Sequence, residues 1–170
     1  TYLTGFSGDS SYLLLSKSDT ILISDSRYTI QIQEECPGLE TFSRKTEQTI
    51  IEAVAHVTKQ SQFQKLGFES GSTTFQQWEQ LTETIKHLQL VPVEGLVETL
   101  REVKDAEEIK EIRTAIDQAQ RGFELLRSSL RPEMTERESA HDLEHAMRRF
   151  GADKAGFDPI VAVGARAALP

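Results

Sequence analysis

Phe157-Asp158-Pro159-Ile160-Val161-Ala162-Val163-Gly164, followed by Ala165-Arg166-Ala167-Ala168-Leu169-Pro170, is the stretch toward which the rest of the chain is organised. A β-rich apolar run released by Gly164 into a small-residue loop reads as a buried strand delivering a loop to a site, because glycine permits backbone geometry that β-branched residues forbid. What that loop would deliver lies after Pro170. With Thr1 rather than Met at the start, both ends are expected to be cut from a longer polypeptide.

Just upstream, Thr135 and Glu138 form a capping box that opens a helix running to Phe150. Ala140, Leu143, Met147 and Phe150 are its inward positions, and Gly151 suits its C-cap. Pro132 separates this helix from a longer one begun by Asp105 and Glu108, a second box of the same kind. In the longer helix Ile109, Ile112, Ile116, Ala119, Phe123, Leu126 and Leu130 recur at spacings of 3 and 4 and form one stripe. About three heptads is short for a coiled coil, and Ala119 and Phe123 vary the width of the stripe, so the expected partner is a sheet.

Residues 1–94 alternate between strand and helix periodicity. Tyr12–Leu15 and Thr20–Ile23 are β-like runs around the turn residues Ser16-Lys17-Ser18-Asp19, a hairpin pattern. Tyr28, Ile30 and Ile32 fit a helix or a further strand; a helix from Ser26 to Glu35, closed by Pro37-Gly38, is favoured. A strand near Leu39–Ser43 follows, then a helix from Thr46 to Lys59 with Ile50, Val54 and Val57 on one face. Next come a strand over Lys65–Glu69, a helix capped by Ser72, Thr73 or Thr74 and carrying Phe75, Trp78, Leu81 and Ile85, and a strand over Leu88–Val93. That order gives a mixed α/β domain, with the boundary near Val97–Lys104.

The net charge of −8, with Lys and Arg scattered, argues against a nucleic-acid or anionic-membrane partner. No apolar run approaches the roughly 18–20 residues a membrane span needs. The single cysteine, Cys36, cannot close an internal disulfide, which fits a reducing cytosol, and it reads as a structural thiol.

His141-Asp142-Leu143-Glu144-His145 matches the H-x-x-E-H pattern, in which two imidazoles four residues apart on a helix share a zinc. A third ligand is wanting, since only Asp153 and Asp158 follow, and Leu143 and Met147 claim the inward face. His141 and His145 therefore read as surface residues, and His56 and His87 as structural ones. There is no Gly-x-Ser-x-Gly elbow, GxGxxG turn or P-loop; Thr4-Gly5-Phe6-Ser7-Gly8 lacks the lysine of a phosphate loop and reads as a tight turn.

Several short words of the sequence carry a resemblance. Tyr2-Leu3-Thr4-Gly5-Phe6 and Asp25-Ser26-Arg27-Tyr28 resemble the start of the creatinase/prolidase N-terminal domain. Leu100-Arg101, Lys104-Asp105, Glu107-Glu108-Ile109 and Ile112-Arg113 are similar to the junction into the pita-bread catalytic domain of the same family. Met134-Thr135-Glu136, Phe150-Gly151-Ala152 and Phe157-Asp158-Pro159-Ile160-Val161 continue the match in order, and Glu133 stands where the family usually has Gly.

The resemblance implies an α/β (α+β) chain: a creatinase-type mixed-sheet domain over residues 1–98, then the truncated first part of a pita-bread domain over 99–170. It implies a proline-specific metallopeptidase, an Xaa-Pro aminopeptidase or Xaa-Pro dipeptidase. Two divalent ions, Mn, Co or Zn, would activate a hydroxide that cleaves the bond before proline. The family's ligands, two Asp, one His and two Glu, follow the Leu-Pro loop, so no catalytic or metal role falls on residues 1–170 and the segment alone is expected to be inactive. By position Phe157 and Leu169 resemble pocket-lining residues. A cytoplasmic homodimer acting on peptides with proline at the second position is the implied whole. The same fold also serves non-catalytic peptide- or protein-binding relatives and the amidinohydrolase creatinase.

Overall fold

The computed structural model describes residues 1–60 and 63–168, in two compact units that divide between Leu96 and Val97. The first unit begins with the expected hairpin. β1 (Tyr12–Leu15) pairs antiparallel with β2 (Thr20–Asp25), placing Tyr12 opposite Ile23. A 3-10 turn over Ser26–Tyr28 and helix α1 (Thr29–Glu35) return the chain to β3 (Glu40–Arg44), parallel to β2. The helical alternative thus holds for the region around Ile32, with a 3-10 first turn because the Asp25 carboxylate accepts the Arg27 amide.

Helix α2 (Ile50–Lys59) starts later than the expected Thr46, because Thr49 and Glu52 form a capping box that fixes its first turn. The Thr49 amide, hydrogen-bonded to Glu52, holds that carboxyl below its ordinary range. β4 (Lys65–Glu69), α3 (Phe75–Thr84, capped by Thr74) and β5 (Gln89–Val93) complete a second parallel crossover in which Phe68 faces Pro92. The two sheets, ordered β1-β2-β3 and β4-β5, share one core. Ile23, Ile51, Val54, Leu81, Ile85 and Leu88 form it, with Tyr12, Leu14, Phe42, Leu66 and Leu90 packed around. On the opposite face of β2, Leu22 meets Phe6, Ile32 and Cys36.

Not every apolar residue carried by α3 reaches the core. Phe75 and Trp78 do not join the core with Leu81 and Ile85; they are 73% and 41% exposed and lie against each other at 5.7 Å. The core reaches only the later turns of α3, and the first turn runs past it.

The second unit holds α4 (Leu96–Glu102, which begins one residue before the division), α5 (Ala106–Ser129) and α6 (Glu136–Arg149). Asp105 with Glu108 and Thr135 with Glu138 cap the two long helices as expected. α5 packs on α6 rather than on a sheet: Gly122 lies against Met147, Leu126 and Ala146 are buried, and the Arg121 guanidinium sits 4.3 Å from the centre of the Phe150 ring. The stripe residues Ile109, Ile112, Ile116, Phe123 and Leu130 are consequently exposed, which corrects the expected sheet packing.

The expected buried strand over Phe157–Val163 is absent. The segment is irregular, and Phe157, Ile160 and Val163 are 79%, 86% and 70% exposed. β-propensity acts only when a neighbouring strand and an apolar surface receive the side chains, and among the described residues this segment has neither.

Candidate functional site

The final segment is positioned by α6. Glu136, the first residue of that helix, follows the N-cap Thr135. Its Oε1 accepts the Val163 amide at 2.9 Å, and its Oε2 accepts the Arg166 guanidinium at 2.5 Å. Between them Gly164, at φ +62°, takes the left-handed conformation that turns the chain into a 3-10 turn over Gly164–Ala168. The Glu136 side chain is 23% exposed and that of Arg166 71%. Phe157 stands exposed at the start of this segment, and Leu169, the other pocket candidate, lies outside the described residues.

The H-x-x-E-H residues lie on the exposed side of α6. His141 and His145 face solvent, and Glu144 accepts the Arg148 guanidinium at 2.9 Å. Asp153 and Asp158 are exposed. Among the described residues no group of three or more His, Cys, Asp or Glu side chains is placed to hold a metal ion. The H-x-x-E-H pattern thus has no third ligand beside it among the described residues, and the metal centre implied by the resemblance draws its ligands from outside 1–170. The remaining candidates have structural surroundings. Cys36 is buried with its Sγ 3.1 Å from the Thr4 carbonyl, His56 lies 5.4 Å from Phe42, and His87 Nε2 is 3.2 Å from Thr58 Oγ1. Ser7 gives both its amide and its hydroxyl to Glu35, at 2.7 Å each, which clamps the loop after Phe6 onto α1.

Two arrangements were not read from the sequence. Glu136 is one; its partners lie 27 and 30 residues away, beyond any helical or strand period. The other centres on Asp25, which is 4% exposed. Its carboxylate accepts Arg27 Nη2 at 2.6 Å, the Arg27 amide at 2.9 Å and Arg44 Nη2 at 3.2 Å. The Arg27 guanidinium hydrogen-bonded to it holds the carboxyl well below the usual range, against the opposing effect of burial. A depressed folded-state value stabilises the fold above the ordinary aspartate value of 3.8 and loses that contribution as the pH falls below it. Denaturation midpoints followed from pH 5 to pH 2 should therefore fall less steeply for Asp25→Asn than for the parent; equal slopes would show that Asp25 does not contribute.

Residues 1–103 match the Creatinase/Prolidase N-terminal domain, and residues 110–170 match Metallopeptidase family M24. The uncharacterized peptidase YqhT of Bacillus subtilis is 34% identical over 169 residues, spanning 99% of this chain and 47% of that protein. An Xaa-Pro dipeptidase from Bacillus anthracis superposes with a TM-score of 0.92 at 37% identity, over 99% of this chain and 47% of its own. An X-Pro aminopeptidase from Thermotoga maritima superposes at 0.91 with 31% identity over the same shares. The chain thus spans about half the length of the relatives it matches. Both units follow these proteins without a break, and the chain belongs to the creatinase/prolidase family, as an α/β chain that joins the creatinase-type N-terminal domain to part of a family M24 metallopeptidase domain.

Proposed function

We propose that the whole protein is a proline-specific metallohydrolase of the Xaa-Pro aminopeptidase or Xaa-Pro dipeptidase kind, cleaving the bond that precedes proline by metal-activated hydroxide. The observation that carries this is the match of both units, along 99% of the chain, to a solved Xaa-Pro dipeptidase at 37% identity. In this reading residues 1–98 are the N-terminal domain and 99–170 the opening of the catalytic domain, with Phe157 and Leu169 on the pocket wall. In this reading the two divalent ions, Mn, Co or Zn, are held by residues outside 1–170. A cytoplasmic homodimer belongs to the same reading, and the lone cysteine, Cys36, buried and free, suits a reducing compartment.

The test uses protein of the relatives' length, stripped of metal and reloaded with Mn2+, Co2+ or Zn2+. It is assayed on an Xaa-Pro dipeptide, a longer Xaa-Pro-Xaa peptide and creatine. Metal-dependent cleavage before proline is expected, with residues 1–170 alone inactive. Creatine hydrolysis without peptide cleavage, chelator-insensitive activity, or inactivity with all three metals overturns the reading.

A further inference from the structure

We propose that Glu136 is a positioning residue for the substrate pocket, acting through the segment 157–168; this rests on the proline-peptidase reading above. Glu136 is seated in the first turn of a capped helix, where the aligned peptide dipoles favour a carboxylate. It spends both oxygens on one distant segment, Oε1 on the Val163 amide and Oε2 on Arg166. Among the described residues, and apart from bonds inside the 3-10 turn, Glu136 receives the hydrogen bonds that residues 153–168 make. Among the described residues that segment has no strand partner, and Phe157, Ile160 and Val163 stand largely exposed. Among the described residues, then, one carboxylate ties this segment to a helix.

An ion pair to an arginine that is 71% exposed adds little to global stability. Loss of Glu136 should free the pocket wall without unfolding the helix that carries it. This separates a positioning role from a structural one. The bond to Val163 fixes the backbone just before Gly164, and the bond to Arg166 fixes the turn after it, so the two oxygens clamp the segment on both sides of its only left-handed residue.

The variants are made in the full-length protein. Glu136→Ala is expected to raise KM for an Xaa-Pro peptide about tenfold with kcat within about twofold and an unchanged thermal midpoint, the pattern of lost uniform binding. Glu136→Gln keeps an acceptor for the Val163 amide but loses the charge facing Arg166. It should raise KM about threefold, as should Arg166→Ala. Hydrogen exchange at the Val163 amide supplies a readout independent of activity and should accelerate in Glu136→Ala. An active parent whose folded variants keep the parental KM overturns this role alone, as does parental exchange at Val163. A parent inactive on every Xaa-Pro peptide overturns the functional reading and this role with it, while accelerated exchange in that case still shows the clamp. Should Glu136→Ala not fold, Glu136→Gln and Arg166→Ala decide by the same criteria.

Discussion

Ile23→Ala lowers the unfolding free energy by about 3 kcal/mol, within the ~2–5 kcal/mol that truncating a buried isoleucine costs. Ile23 has no exposed surface and lies on the middle strand of its sheet, between Tyr12 on β1 and Phe42 on β3. Its side chain faces the cluster that α2 and α3 supply through Ile51, Val54, Leu81 and Ile85. Because both helices and both sheets close on that cluster, the space left by three lost carbons cannot be filled by moving one element. Urea denaturation followed by circular dichroism measures the loss as a fall in midpoint at constant slope. The control is Ile30→Ala, on a residue 70% exposed, which should stay within about 0.5 kcal/mol. Equal effects at the two positions would place the core elsewhere.

Gly122→Leu destabilises the α5–α6 pair by about 3 kcal/mol, the upper end of ordinary overpacking. Glycine inside a helix costs about 1 kcal/mol relative to alanine, so its presence midway along α5 calls for a reason. A Cβ at Gly122 would lie 2.9 Å from Met147 Cγ, 3.0 Å from its amide nitrogen and 3.1 Å from its Cα. The sulfur-bearing side chain can turn aside; the backbone of α6 cannot without moving the helix. For Gly122→Ala, a helix separation of a few tenths of an ångström opposes the propensity gain, and the two cancel to within about 1 kcal/mol. For Gly122→Leu the added volume leaves packing in command. Thermal denaturation together with amide protection in α5 and α6 measures both, and a stabilised leucine variant would refute the close crossing.

What was legible in the sequence was local. The capping boxes at Asp105–Glu108 and Thr135–Glu138 involve groups three residues apart, so the residues alone state where α5 and α6 begin. The same signal at Thr49–Glu52 marks the start of α2, three residues after the Thr46 that apolar periodicity suggests. Burial was less legible, because a stripe declares that it wants a partner without naming one. Leu81 and Ile85 found theirs, while Trp78 and Phe75, about one and two turns before Leu81, did not. The β-rich run before Gly164 read as a strand for the same reason: the ladder that would make it one belongs to other segments. The candidate site was the least legible, since Glu136 reaches 27 and 30 residues along the chain and Asp25 gathers Arg44 from the neighbouring strand.

The pairing of Phe68 with Pro92 has a further consequence. In a parallel ladder alternate residues of a strand bond to the same neighbour, and the Gln89 amide donates to the Gln64 carbonyl at 2.9 Å. Residues 89, 91 and 93 therefore turn their amides toward β4, and position 92 turns outward. Proline there removes no bond from the sheet. It removes a donor that an incoming strand would need at the middle of the outer edge of β5, so that edge disfavours strand addition while β5 keeps its full pairing with β4.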